Sequence, residues 1–296
     1  MFDRSLISGL LLPYPLIAQD LPVAPSSTEY VEQMSVPDTP VPQDRLKKVQ
    51  GVLILGPGNE VLFSKNQEEA FPIASITKLM TALVFLEHDP GFSKKIIIKK
   101  KDDAEPVKIP LKPGDRVRVK DLFASTLVGS RNNAARALAH ATGISEPDFI
   151  ALMNAKARQL GMGHTTFVDT TGLDPKNEST PRDIAVLGQV AFANQKISKA
   201  LLTDRYSFEA FNTKTGKRHR FTIRNTNPFL KEAGAIKEGK TGYIDESGYN
   251  FVARGSVNGK ELIAVVFGAK TSKSRFNLTR DLVNAALSTV HKTASR

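Results

Sequence analysis

Three short segments, far apart in the chain, carry residue types able to make and break an acyl bond. Ser75-Ile76-Thr77-Lys78 sets a hydroxyl and an amine three residues apart. On a helix that spacing puts both side chains on one face. Lys78 can then take the proton of Ser75, provided burial and nearby positive charge keep the amine neutral. Ser130-Arg131-Asn132 lies downstream between two expected helices, and Lys240-Thr241-Gly242 further on, where it is expected to open the first strand-like stretch of the last third. Each tripeptide alone is cheap. S-x-x-K also describes a capping serine followed by an exposed lysine. A second Lys-Thr-Gly, at 214–216, is expected in a polar, basic turn with no strand directly after it. The informative feature is the order S-x-x-K, S-x-N, K-T-G.

Other chemistries fit less well. The chain has no Cys, which excludes disulfides, thiolate catalysis and Cys-ligated metal sites. His88, His140, His164, His219 and His291 are too dispersed to suggest a metal, and there is no His-Glu-x-x-His. Neither Gly-x-Ser-x-Gly nor Gly-x-Gly-x-x-Gly occurs. Gly234 to Thr241 matches the phosphate-loop pattern, but that loop works only between a buried strand and a helix. Here turn-like Asn225-Thr226-Asn227-Pro228 precedes it and a β-rich run follows, so no nucleotide is expected. Net charge is +11 over 296 residues, with clusters at Lys99–Lys101 and Lys217–Arg220. Tyr206, Phe208 and Phe211 lie near the second cluster, yet no nucleic-acid module accompanies them. The charge fits solvated surface or attraction to another polyanion, such as an acidic cell-wall polymer.

The elements that must position these residues follow from periodicity. Residues 49–55 and 60–64 flank Gly56-Pro57-Gly58-Asn59 and predict a hairpin. Ile76, Leu79, Met80, Leu83 and Val84 follow the spacing of a core helix that ends at His88-Asp89-Pro90-Gly91. Further helices are expected over 121–128, 132–141, 146–160, 181–193 and 276–291, with Thr180 and Pro181 opening the fourth. Tyr249–Val257 and Glu261–Gly268 predict strands joined by an Asn258-Gly259 turn. The two ends of the chain are therefore expected to share one antiparallel sheet with helices packed on it. Residues 1–19 look like an export signal with an imperfect cleavage site. Seven of the 17 prolines fall between Pro13 and Pro42, so 20–43 reads as a flexible leader before a domain over 44–296.

With these segments in view, the sequence resembles the serine D-alanyl-D-alanine peptidases, the low-molecular-mass penicillin-binding proteins, over roughly residues 48–285. The resemblance extends through Phe71–Ala82, Leu111-Lys112-Pro113-Gly114-Asp115, Thr165–Asp174 with Ser179–Asp183, and Lys240-Thr241-Gly242-Tyr243 with Gly248-Tyr249-Asn250. It implies an α/β (α+β) fold of the β-lactamase/transpeptidase kind. In that fold N- and C-terminal strands form one sheet, helices cover both faces, and a helical subdomain is added.

The resemblance also implies roles. Ser75 is the acylated nucleophile and Lys78 its general base. Ser130 and Lys240 shuttle the proton to the leaving amine, and Asn132 orients Lys78 and holds the acyl part of the substrate. Thr241 binds the terminal carboxylate, with Arg275 a candidate for the same anion. Backbone N–H groups of Ser75 and Tyr243, beside Gly242, form the oxyanion hole. Mutual repulsion among Lys78, Lys240 and Arg275 is expected to lower at least one lysine's pKa. Implied partners are peptidoglycan stem peptides and β-lactams, with no cofactor, and implied location is outside the cytoplasmic membrane.

Three departures matter. Asn133 follows the second motif where the family often has Asp, with little effect expected on the chemistry. The chain ends soon after its last helix, which leaves no room for the extra β domain and anchoring tail many carboxypeptidases carry, and which also suits the endopeptidase branch. A class A β-lactamase needs a Glu beyond S-x-N to activate water, and residues 164–180 offer only Glu178. A non-catalytic cell-wall-binding protein of the same fold is the rival of another class.

Overall fold

The structure is a computed structural model that describes residues 43–102, 111–257 and 260–293. The signal-like segment, the leader up to residue 42 and the Asn258-Gly259 turn lie outside those residues. A short helix, α1 (Gln43–Leu46), leads into the expected hairpin of β1 (Gly51–Leu55) and β2 (Val61–Lys65). β3 (Phe71–Pro72) and one 3-10 turn over Ala74–Ile76 precede the core helix α2 (Thr77–Glu87). Then come β4 (Lys95–Ile97), β5 (Asp115–Arg118), α3 (Val119–Val128), α4 (Asn132–Ala141) and α5 (Glu146–Gln159). β6 (Glu178–Ser179), α6 (Pro181–Ala193) and α7 (Gln195–Leu201) follow. The last third holds β7 (Arg205–Asn212), β8 (Arg218–Arg224), β9 (Ile236–Ile244), β10 (Gly248–Val257), β11 (Lys260–Ala269) and α8 (Ser272–Thr293).

Both ends of the chain meet in one antiparallel sheet of order β2-β1-β11-β10-β9. Period-two alternation divides its side chains between two cores. Leu53, Val252, Val265 and Phe267 join the core built with α2, α3, α4 and α6. Val52, Phe251, Ala264 and Val266 join the core under α8, with Phe276 and Leu282. Helices thus cover both faces, as expected. Helix entries follow their sequence signals: Ser145 and Thr180 accept from the backbone N–H of Asp148 and Asp183, and Pro181 opens α6.

Phe251 is fully buried, its ring 5.2 Å from that of Phe276 and 5.9 Å from that of Phe229. It pairs with Thr241 across the β10–β9 ladder. Phe251→Ala is expected to lower unfolding stability by about 3–5 kcal/mol. Urea titration reads this, and a loss below about 1 kcal/mol would show that the cavity collapses.

Two expectations need correction. The stretch after Lys214-Thr215-Gly216 is a strand, β8, which pairs with β7 and extends the small sheet β4-β5-β7-β8. Alternation of Tyr206, Phe208 and Ala210 with polar residues drives that pairing, and the basic cluster merely occupies its outward positions. Lys240-Thr241-Gly242 does not open its strand. It occupies the fifth to seventh of the nine residues of β9, so the phosphate-loop look-alike is extended chain from Ile236 onward.

Candidate active site

Ser75 lies in the 3-10 turn immediately before α2, and Lys78 in the first turn of that helix. The chain enters under strain. Ala74 has φ +49, a left-handed conformation that L-residues avoid. Two close approaches hold it there. A methyl group on Gly172, itself at φ +80, would fall 1.9 Å from Ala74 O, and one on Gly242 would fall 2.7 Å from Ile73 O and 3.3 Å from Ser75 N. The edge strand β9 and the loop at 172 therefore clamp the serine turn through backbone that only glycine can supply.

Lys78 is fully buried, and its Nζ has three neighbours. It donates to Asn132 Oδ1 (2.8 Å) and to Thr171 O (2.6 Å), and lies 2.6 Å from Ser75 Oγ. A carbonyl oxygen only accepts. Two such acceptors use both hydrogens of a neutral amine, which leaves its lone pair for the serine hydroxyl. Burial lowers the Lys78 pKa from its ordinary value to about 7, against the opposing pull of Asp169. Asp169 is itself committed to its loop: its carboxylate accepts from the backbone N–H groups of Thr171, Gly172 and Asp174 and from the Thr171 hydroxyl.

Ser130 and Lys240 form a second group. Lys240 is fully buried and donates to Ser130 Oγ (2.6 Å) and Thr241 O (2.8 Å). Its pKa is well below the ordinary lysine value, first because of burial, then because Lys78 and Arg275 repel its charge. Burial and repulsion were both expected. Burial takes first place because both amines sit in the interior, and like-charge repulsion is added only at Lys240. Ser130 has φ +54 and stands between α3 and α4, so one strained residue links the Lys240 group to Asn132 in the next turn.

Thr241 shares a 2.7 Å hydrogen bond with the Thr226 hydroxyl. Arg275 is 5% exposed and donates to Gly242 O and Asn250 O, both at 3.0 Å, and to Ser272 Oγ. It ties α8 to the strands beside the serine and brings positive charge to them. Its own pKa is lowered to about 10 by burial, against Tyr249. Tyr243 is 47% exposed, stacks on Tyr249 at 4.2 Å and bonds Asp245 through its hydroxyl. Asn133 donates to Leu111 O, a bond an ionised Asp could not make. Among the described residues no group of His, Cys, Asp and Glu is placed to hold a metal ion.

Several contributors carried no role in the sequence reading. They are the Thr171 carbonyl, Gly172, Thr226 and Asn250, whose amide bridges Pro72 O and Gly268 N. Asp169-Thr170-Thr171-Gly172 did hold a signal, since Asp and Thr side chains that cap their own backbone, followed by Gly, mark a tight loop.

Known proteins match this arrangement. A D-alanyl-D-alanine endopeptidase of Haemophilus influenzae is 39% identical over 198 residues, 66% of this chain and 65% of that one. The D-alanyl-D-alanine carboxypeptidase DacF of Bacillus subtilis is 33% identical over 76% of this chain and 58% of its own. The chain therefore spans about three-fifths of these two relatives. The solved Streptomyces K15 DD-transpeptidase is similar with a TM-score of 0.73 at 26% identity, over 81% of this chain and 97% of that one. The family described as D-alanyl-D-alanine carboxypeptidase matches residues 39–271, a span that holds all three motifs and every strand of the central sheet, and the chain belongs to that family.

Proposed function

We propose that the protein is a serine D-alanyl-D-alanine peptidase, carboxypeptidase or endopeptidase, that acts on peptidoglycan stem peptides outside the cytoplasmic membrane and binds penicillin. The observation that carries this reading is the Lys78 amine, buried, with its pKa near 7 and its lone pair left to Ser75.

The reaction follows from the geometry. Ser75 Oγ attacks the carbonyl of the D-alanyl peptide bond while its proton passes to Lys78 Nζ. The oxyanion is received by the backbone N–H groups of Ser75 and Tyr243, a placement supported by the contact of Gly242 with the Ser75 turn. The C–N bond breaks, and the leaving amine takes a proton through Ser130 and Lys240. Thr241, beside Lys240 and under the positive charge of Arg275, receives the substrate's terminal carboxylate. Asn132 holds both Lys78 and the acyl side of the substrate. Water then hydrolyses the Ser75 ester. A terminal D-Ala and a crosslink present the same bond to these groups.

A β-lactam acylates Ser75 by the same step, and the ester is expected to persist. The acids of the 164–180 loop are engaged or turned to solvent: Asp169 accepts four hydrogen bonds, Asp174 caps Lys176 N, and Glu178 is exposed. None is free to activate water as a β-lactamase requires. No helix among the described residues is long and apolar enough to cross a membrane.

Intact-mass analysis after penicillin treatment tests the reading. Wild type gains one adduct at Ser75, and Ser75→Ala gains none. Purified muropeptides then lose terminal D-Ala or are cut at the crosslink by wild type only. An unlabelled wild type would favour the non-catalytic binder, and rapid multiple turnover of nitrocefin would favour the β-lactamase.

A further inference from the structure

The small sheet β4-β5-β7-β8 has one face packed on the helices and one face open. Its inward residues include Val117, Phe208, Ala210 and Ile223. Its outward residues are basic on all four strands. Lys95 stands beside Arg118, and Arg116 beside exposed Ile97 and Phe211. Arg218 and Arg220 alternate outward on β8, opposite Phe211 and Glu209. Glu209 is the one acid these strands turn outward among the described residues, and Arg220 already pairs with it at 2.9 Å. From outside the strands Asp121 pairs with Arg118 at 2.9 Å and Asp204 lies 3.7 Å from Arg205, so the outward charge rests with Lys95, Arg116, Arg218 and Arg224. Arg205 sits directly opposite Arg224. Like charges directly opposite one another oppose strand pairing, and Asp204 offsets that repulsion at Arg205 only, so the pair adds nothing to the stability of the sheet.

The face runs into the active site. β8 ends at Arg224, and two residues later Thr226 Oγ1 bonds Thr241 Oγ1. An extended anion lying across the sheet is thereby led to the strand that carries Lys240. From this continuity and charge we propose that the open face of the β4-β5-β7-β8 sheet docks the carboxylate-bearing peptides of polymeric peptidoglycan, so that the protein works preferentially on the insoluble wall. This rests on the function proposed above.

Chemistry favours that occupant. Guanidinium forks match carboxylates in geometry, and a field of one sign raises the local concentration of its counter-charge. A lipid surface would call for a broad apolar face, whereas the outward apolar residues are Ile97 and Phe211. The Phe211 ring is already engaged by Arg116 at 5.3 Å and Arg218 at 5.7 Å, so it offers no free stacking platform for a nucleic-acid base.

The test is sedimentation with insoluble peptidoglycan, acid-extracted to remove accessory polymers, at low and high salt. Arg116→Glu/Arg218→Glu/Arg224→Glu is compared with Lys47→Glu/Lys48→Glu/Arg158→Glu, an equal charge change on exposed residues away from the sheet. Wild type and the second variant should bind in a salt-sensitive manner. The first should lose about tenfold in binding and in product release from the insoluble wall, with penicillin acylation of Ser75 within about twofold of wild type. Equal binding by both variants, equal loss in both, or binding to anionic phospholipid vesicles but not to extracted wall would each overturn the proposal. Penicillin acylation reads the catalytic site separately. Face-dependent binding without acylation would sink the peptidase reading and leave the interaction standing.

Discussion

Lys78→Met is expected to slow acylation of Ser75 by penicillin about 10²–10⁴-fold, the span general-base catalysis commonly covers. Methionine fills a similar volume but cannot take the serine proton. The wild-type rate should rise as pH passes about 7, because the neutral amine is the working form and burial sets its pKa there. The variant's residual rate should lack that inflection. Rapid-mixing kinetics with a fluorescent penicillin between pH 5.5 and 8.5 reads both. A variant that keeps the inflection would hand the role of base to another group.

The same pKa fixes a stability signature. Between about pH 7 and the ordinary lysine value of 10.5, the unfolded chain keeps a proton on Lys78 that the folded chain has released. Stability therefore rises with pH across that window, and the contribution is absent below it. The full span is on the order of 5 kcal/mol. The stability of wild type minus that of Lys78→Met should climb when urea titrations move from pH 7 to pH 9. A flat difference would mean that Lys78 stays charged in the folded protein.

What the sequence disclosed depended on where each signal was written. The three-residue step from Ser75 to Lys78 is local, and helical periodicity is enough to put both on one face. That the two ends of the chain share one sheet was legible, and Val52–Leu55 and Leu262–Phe267, which pair in it, are continuous apolar runs, as strands covered on both faces must be. The β7–β8 hairpin was hidden by its composition. Arg218, His219 and Arg220 look like a solvated charge run until Tyr206, Phe208 and Ala210 are seen to alternate inward. The loop that holds Lys78 was harder still. Its key atom is the Thr171 carbonyl, which every residue type possesses, so no side chain announces it. The depth of burial that lowers the Lys78 pKa is likewise a property of the assembled core.

Gly172 joins these threads, and Gly172→Ala should cripple the site with no catalytic side chain altered. The added methyl would stand 1.9 Å from Ala74 O and 2.9 Å from Ser75 N, both backbone atoms that no rotamer change can clear. The residue's φ of +80 adds strain of its own. Relief requires the 172 loop to retreat or the Ala74–Ser75 peptide to turn. Retreat draws the neighbouring Thr171 carbonyl away from Lys78 Nζ, and turning re-aims the Ser75 N–H proposed for the oxyanion. Either displacement approaches 1 Å, which is enough to cost about 100-fold in rate. Acylation should fall by that factor or more even where the variant remains folded by circular dichroism. Asp169→Asn should have a milder effect on the same loop, since an amide oxygen can still accept from the N–H groups of Thr171 and Gly172. Near wild-type acylation in Gly172→Ala would show that the serine turn is not held by this contact, and that the strain at Ala74 has another source.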